Sequence, residues 1–169
     1  MEKRLSEEAG GRFLEVLGRH EQIINKVIRI YGVDSEDRKD LFQEIVYQLW
    51  RSFGSFKGES RISTWLYRVA LNTAITSLRK TKKLPGTTEL DDRSLHVSVS
   101  FDTPERSEQV QQLYSAIRSL GEVDRALVML YLEELSYKEI AEVLGLTEDN
   151  VGVKLNRIKT KLRVLIGTN

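Results

Sequence analysis

The chain of 169 residues contains no cysteine, two prolines and only two histidines, His20 and His96. Without thiols there can be no disulfide, thiolate metal site or cysteine nucleophile. Nothing pairs the two histidines at ligand spacing, and neither a phosphate-cradling glycine loop nor a nucleophile–base pair is present. The chain is therefore expected to be no enzyme and to need no cofactor or metal. No apolar run is long enough to span a bilayer, and the Met-Glu-Lys-Arg-Leu-Ser start lacks the pattern of a secretory leader. A cytoplasmic protein without membrane insertion is expected.

What is present suits a helix-rich globular chain, with 40% hydrophobic and 30% charged residues. The net charge of +1 says little as a total, but its distribution is uneven. From Arg51 to Lys83 the basic residues Arg51, Lys57, Arg61, Arg68, Arg79, Lys80, Lys82 and Lys83 meet a single acid, Glu59. From Glu89 to Glu108 acids dominate, with Arg93 and Arg106 as the exceptions. Lys154, Arg157, Lys159, Lys161 and Arg163 make the end basic again. Two basic segments around an acidic one fit two polyanion-binding surfaces joined by a connector, or simply solvated helix faces.

Apolar residues at helical spacing predict a helix over Phe13–Tyr31, stopped by Gly32, from Phe13, Leu14, Leu17, Ile24, Val27, Ile28 and Tyr31. Asp34 and Ser35, followed by Glu36 and Asp37, mark a second start. That helix runs to Phe53, with Leu41, Ile45 and Leu49 on one stripe, Phe42, Val46 and Trp50 beside it, and Asp40, Gln43, Glu44, Tyr47 and Gln48 outward. The glycines of Ser52–Ser60 predict a loop. A third helix, Thr64–Lys80, is expected to bury Leu66, Val69, Ala70 and Leu78. Thr81–Ser107 has no usable periodicity, holds both prolines and predicts a flexible linker. Helical pattern resumes at Val110. The fold class expected is all-α: an N-terminal helical bundle (1–80), a linker (81–107) and a C-terminal helix-turn-helix domain (108–169).

The strongest local signal runs from Leu135 to Leu155. Ser136 with Glu139 three residues on forms a capping box. Ile140, Ala141, Val143 and Leu144 supply a buried stripe, Gly145 permits a tight turn, and Thr147 can cap a second helix docked by Val151, Leu155, Ile158 and Leu162. A small Ala141, Gly145 four residues later and Val151 six beyond make the helix-turn-helix spacing. Its outer face presents Asn150, Val153, Lys154, Asn156, Arg157 and Lys161, which suits major-groove insertion. The same spacing also serves a helical hairpin used only for packing. In the N-terminal half, Phe53 and Phe56 flank a glycine loop with Lys57, Arg61 and Arg68 nearby. Aromatics among cations can hold unpaired bases; Trp65, Tyr67 and the phenylalanines fit a bundle core equally well.

Asp40-Leu-Phe-Gln-Glu-Ile-Val-Tyr-Gln-Leu-Trp50, Phe53-Gly-Ser-Phe-Lys-Gly-Glu-Ser60 and Thr64-Trp-Leu-Tyr-Arg-Val-Ala-Leu-Asn-Thr-Ala74 together resemble the second conserved region of bacterial sigma factors. Leu135-Ser-Tyr-Lys-Glu-Ile-Ala-Glu-Val-Leu-Gly145 and its following helix resemble the fourth. Two such regions with a short linker are similar to the extracytoplasmic-function (ECF) group. The resemblance implies that the second helix docks on the clamp helices of the largest subunit of core RNA polymerase, through Asp40, Gln43, Glu44 and Tyr47. It implies that Phe56, Lys57, Arg61, Arg68, Asn72, Arg79 and Lys80 recognise and open the −10 element, with Asn72 at a base-capture pocket. Asn150, Val153, Lys154, Asn156, Arg157 and Lys161 would read the −35 element, while that domain rests on the flap of the second-largest subunit. Promoter DNA and an anti-sigma factor are the further implied partners.

Two places depart from the family pattern. Gly152 and Val153 stand where many members carry a basic and then a small polar residue, and Thr76 stands where an acid is common. The alternatives are a conventional helix-turn-helix regulator binding duplex DNA as a dimer, and a helical adaptor that binds only protein. The regulator offers no reason for the glycine-aromatic-cation loop near Phe56 or the acidic helix face near Glu44, and the basic recognition helix argues against the adaptor.

Overall fold

A computed structural model describes residues 2–83 and 107–167 of the chain, and among these residues it forms seven helices and no strand. They are α1 (Glu2–Tyr31), α2 (Ser35–Phe53), α3 (Ile62–Lys83), α4 (Glu108–Arg118), α5 (Glu122–Leu132), α6 (Tyr137–Leu144) and α7 (Glu148–Gly167). Most of the expected linker, with both prolines and His96, lies outside the described residues. By its contacts the chain divides into two units, Met1–Ala74 and Ile75–Asn169. The division falls inside α3, and α3 stays helical past Thr81 to Lys83, because nothing from Thr64 to Lys83 is a helix breaker.

In the first unit α1 begins well before Phe13 and is kinked at His20 (φ −120°, ψ 15°). Beyond the kink it buries Ile23, Ile24, Val27, Ile28, Ile30 and Tyr31. Asp34 caps α2 by accepting the Asp37 amide at 2.8 Å, and the Asp37 carboxylate accepts the Val33 amide at 2.8 Å. These two bonds satisfy donors that a helix start leaves unpaired. Leu41, Ile45 and Leu49 are buried as their spacing predicts, but Trp50 is 44% exposed and Leu14 is 65% exposed. Trp50 instead rests edge-on against Phe13, with ring centroids 5.2 Å apart.

Helix α3 buries Trp65, Leu66, Tyr67, Ala70, Leu71, Ala74 and Ile75. Val69 and Leu78, expected inside, are only half-buried. Phe53 and Phe56 both lie against Trp65 at the start of α3, at 6.2 and 5.2 Å between centroids.

One charged side chain enters this core. Arg38, 6% exposed, lies over Gly32, where an added Cβ would sit 2.4 Å from the Arg38 Cγ and 2.9 Å from the Ile28 carbonyl oxygen. Burial pulls the Arg38 pKa down, while Asp34 and Asp37 push it up.

In the second unit α4, α5, α6 and α7 pack together around Ile117, Leu120, Ala126, Leu127, Leu130, Ile140, Val151, Leu155 and Ile158. Helix α5 ends with Glu134 at φ 61°; the Leu135 amide donates to Leu130 O and the Glu134 amide to Tyr131 O. This paired arrangement closes the last turn and starts the reversal into α6. The Ser136–Glu139 capping box forms in both directions. Gly145 then takes φ 66°, and the Leu146 amide donates back to Ala141 O at 3.0 Å. No atom would meet a Cβ at Gly145, so the left-handed backbone rather than crowding requires glycine there. Leu144 and Leu162, expected in the buried stripes, are half-buried at the margins.

Candidate nucleic-acid and polymerase interfaces

Three surfaces gather the residues singled out in the sequence. The first is the outward side of α7. Val151, Leu155 and Ile158 fasten one side of this helix to the unit, and Thr147 accepts the Asn150 amide at 3.3 Å at its start. Asn150, Val153, Asn156, Arg157 and Lys161 are exposed as expected, and Lys154 is half-buried. Lys159 is turned aside: its ammonium lies 3.0 Å from the Tyr131 hydroxyl and 4.2 Å from the ring centroid. That contact ties α7 to α5.

The second surface belongs to the α2–α3 loop and to α3. Ser55 donates its hydroxyl hydrogen to Ser52 O at 2.7 Å, and Gly58 takes φ 75°, so the loop doubles back on the end of α2. Lys57 and Arg61 are exposed on it, while Phe56 is half-buried on Trp65. Phe53, Phe56 and Ile62, with Val16 and His20 of α1, line a cavity of about 300 Å³. On α3, Arg68 is half-buried and Asn72 exposed, one helical turn apart. Arg79 and Lys80 are exposed further along. Within the second unit Arg79 donates to Glu122 at 3.1 Å, and Lys82 lies 3.5 Å from the same carboxylate. A backbone hydrogen bond at the start of α5 and the Arg79 guanidinium hold the Glu122 carboxyl below the usual carboxylate range.

The third surface is the outer face of α2. Asp40, Gln43, Glu44 and Tyr47 are all exposed there, with Glu44 accepting from Gln48 at 2.9 Å. Tyr47 is 55% exposed beside Trp50. The periodicity reading kept Trp50 near the core. Its packing on Phe13 depends on where α1 runs, which no local pattern encodes.

Residues 17–84 match the Sigma-70 region 2 family and residues 110–162 match Sigma-70, region 4. The chain is 33% identical over 138 residues to the ECF RNA polymerase sigma-E factor of Haemophilus influenzae, covering 75% of this chain and 73% of that protein. It is 31% identical over 135 residues to the RNA polymerase sigma factor YlaC of Bacillus subtilis, covering 76% of each. The chain belongs to the ECF group of RNA polymerase sigma factors. Its fold is also shared with the sigma factor RpoE of Bartonella quintana, solved with the anti-sigma factor NepR, at a TM-score of 0.69 and 18% identity, over 95% of this chain and 97% of that one.

This sigma factor directs core RNA polymerase to promoters for transcription initiation. Among the described residues no group of acidic or histidine side chains is placed to hold a metal ion, and no helix is long and apolar enough to cross a membrane.

The departure at Gly152 has a structural setting: a Cβ there would meet only the Tyr137 ring, at 3.5 Å, which is ordinary contact. Crowding therefore does not require glycine. Gly152→Ala is expected to stabilise the second unit by about 0.5–1 kcal/mol through helix propensity. Denaturant unfolding followed by circular dichroism checks it, and a loss of stability would show that the Tyr137 ring cannot yield.

Proposed function

We propose that the chain divides promoter recognition between its two conserved regions. The region-2 module, expected over 1–80 and extended by α3 to Lys83, docks on the clamp helices of the largest polymerase subunit through Asp40, Gln43, Glu44 and Tyr47. Phe56, Lys57, Arg61, Arg68, Asn72, Arg79 and Lys80 act at the −10 element, with Asn72 at the captured base. The region-4 module, 108–169, reads the −35 element through Asn150, Val153, Lys154, Asn156, Arg157 and Lys161 and rests on the polymerase flap. Residues 81–107 join the two. The protein works in the cytoplasm, and the polymerase supplies the chemistry.

The observation that carries this reading is the two-sidedness of α7. Its Val151, Leu155 and Ile158 stripe is buried, while Arg157 and Lys161 stand exposed beside Lys154. A packing hairpin has no use for that cationic ridge, whereas phosphate oxygens do. On the −10 side, extruding a base costs a few kcal/mol, which stacking and backbone contacts must offset. An inhibitory partner of the anti-sigma class is part of the proposal; the NepR-bound Bartonella protein of the same fold supports it.

The test is binding to bacterial core polymerase in competition with the housekeeping sigma factor, followed by mapping of transcription starts. Stoichiometric, competitive binding with new start sites is the expected result. A chain that ignores the polymerase and binds duplex DNA as a dimer would be a conventional regulator instead. Within the bound enzyme, Arg157→Ala is expected to weaken upstream promoter binding about three- to tenfold, and to lower the slope of log affinity against log salt by about one. Polymerase affinity should not change. Equal loss of both would place Arg157 in folding rather than in DNA contact.

A further inference from the structure

Within the first unit, the cavity of about 300 Å³ between α1 and the α2–α3 loop stands apart from the proposed promoter and polymerase contacts, sharing only Phe56 with them. Lys57, Arg61, Arg68 and Asn72 do not line it. Its apolar wall comes from Val16 of α1, Phe53 at the end of α2, Phe56 of the loop and Ile62 at the start of α3, each half-buried. These four side chains converge without covering one another, which leaves apolar surface facing a space of ligand size. Phe13 holds the arrangement together. Its ring lies 5.3 Å from Phe53 and 5.2 Å from Trp50, which fastens the first half of α1 to the end of α2.

The rim is polar and cationic. Arg12, Glu15, Val16 and Arg19 follow one another at i, i+3, i+4 and i+7, so one face of α1 brings all four to the cavity. His20, at the kink, lines it too and can supply a further ring N–H. Arg19 donates to Glu15 at 2.6 Å and is committed there. Arg12 makes no ion pair among the described residues. An apolar wall beside one uncommitted guanidinium matches a single carboxylate on a compact apolar body. It matches a nucleic-acid backbone poorly, because repeated phosphates call for several cations and Glu15 would repel them.

We infer that this cavity is a binding site for a small apolar carboxylate, aromatic or branched aliphatic, with its body against Phe53, Phe56 and Ile62 and its charge at Arg12. Binding itself is independent of the sigma-factor roles assigned above. Its consequence for transcription rests on the proposed −10 role of the α2–α3 loop. A ligand seated against Phe56 ties that loop to α1 and so opposes promoter opening.

The experiment titrates the full chain, labelled with nitrogen-15, with phenylacetate, indole-3-acetate and isovalerate, each beside its primary amide. At least one carboxylate is expected to saturate with a Kd of about 0.1–1 mM, moving the backbone amide signals of Val16, His20 and Phe56. It should bind about three- to tenfold tighter than its neutral amide. Arg12→Gln, at an exposed position, should erase that preference without changing the melting temperature. Val16→Phe should fill the cavity and abolish saturation. Equal binding of carboxylates and amides, saturable shifts only outside the cavity, or no saturation by any of the three would overturn the inference. The same signals moved by a short single-stranded oligonucleotide, and by none of the carboxylates, would overturn it in favour of an unpaired base. With the chain on core polymerase, saturating carboxylate is expected to lower open-complex formation about fivefold in wild type and not in Arg12→Gln. Binding without that fall would overturn the link to promoter opening. A chain that forms no open complex even without ligand would instead fail as a sigma factor, and the cavity result would stand by itself.

Discussion

Gly32→Ala is expected to destabilise the first unit by about 2–3 kcal/mol, at the upper end of what one added methyl does in a filled site. Two contacts produce the effect. The new Cβ would lie 2.4 Å from the Arg38 Cγ and 2.9 Å from the Ile28 carbonyl oxygen. Neither can retreat cheaply. The Arg38 Cγ is the root of a buried side chain, not its free end, and Ile28 O already accepts the Gly32 amide at 2.7 Å. Moving that oxygen loosens the last turn of α1, which buries Ile28, Ile30 and Tyr31. Both tryptophans of the chain, Trp50 and Trp65, belong to the first unit, so tryptophan fluorescence follows its unfolding selectively. A fall in melting temperature of about 10–20 °C is expected for a unit of this size. Adding Arg38→Ala to Gly32→Ala removes one of the two clashes, so the pair should cost less than the sum of the single changes. A single Gly32→Ala variant within ~0.5 kcal/mol of wild type would refute the crowding argument.

Glycines at 32 and 145 show which parts of this fold are written locally. Gly145 sits in a run where capping box, buried stripe and turn all fall within a few residues; the box and the turn formed as the spacing predicts, and Ile140, Ala141 and Val143 of the stripe are buried with Leu144 half-buried. Asp34 at the start of α2 is equally local. Gly32 is legible only as a helix stop; its reason is the Arg38 side chain crossing it, and Arg38 hides in the mixed-charge run Ser-Glu-Asp-Arg-Lys-Asp. Burial on α3 is legible only in part. Leu66 and Ala70 are buried as their spacing predicts, whereas Val69 and Leu78 are half-buried, and Trp65, Tyr67 and Leu71 are buried as well, with Phe53 and Phe56 against Trp65. The composition of the three candidate surfaces was visible in the sequence. The outward Trp50 and the engagement of Arg79 by Glu122 needed three-dimensional packing to appear.

Glu44→Lys is expected to weaken binding to core polymerase at least tenfold, equivalent to about 1.4 kcal/mol or more. The outer face of α2 combines the carboxylates of Asp40 and Glu44 with the exposed ring of Tyr47, acids for orientation and an aromatic anchor for affinity. Reversing Glu44 changes the local charge by two units at the middle of that face. The fold should tolerate it. Glu44 is exposed, it accepts a hydrogen bond from the neighbouring Gln48, and a lysine at 44 stands four residues after Asp40, a favourable helical pair. Melting followed by tryptophan fluorescence is therefore expected to stay within ~0.5 kcal/mol of wild type. The loss should appear mainly in the association rate and should shrink as salt rises, because a charge on the rim of an interface steers encounter. Tyr47→Ala should act differently, raising the dissociation rate with little dependence on salt. Competition against the housekeeping sigma factor, at two salt concentrations, separates the two effects. If Glu44→Lys competes as well as wild type at low salt, this face of α2 is not where the polymerase docks, and the exposure of Tyr47 and Trp50 belongs to some other contact.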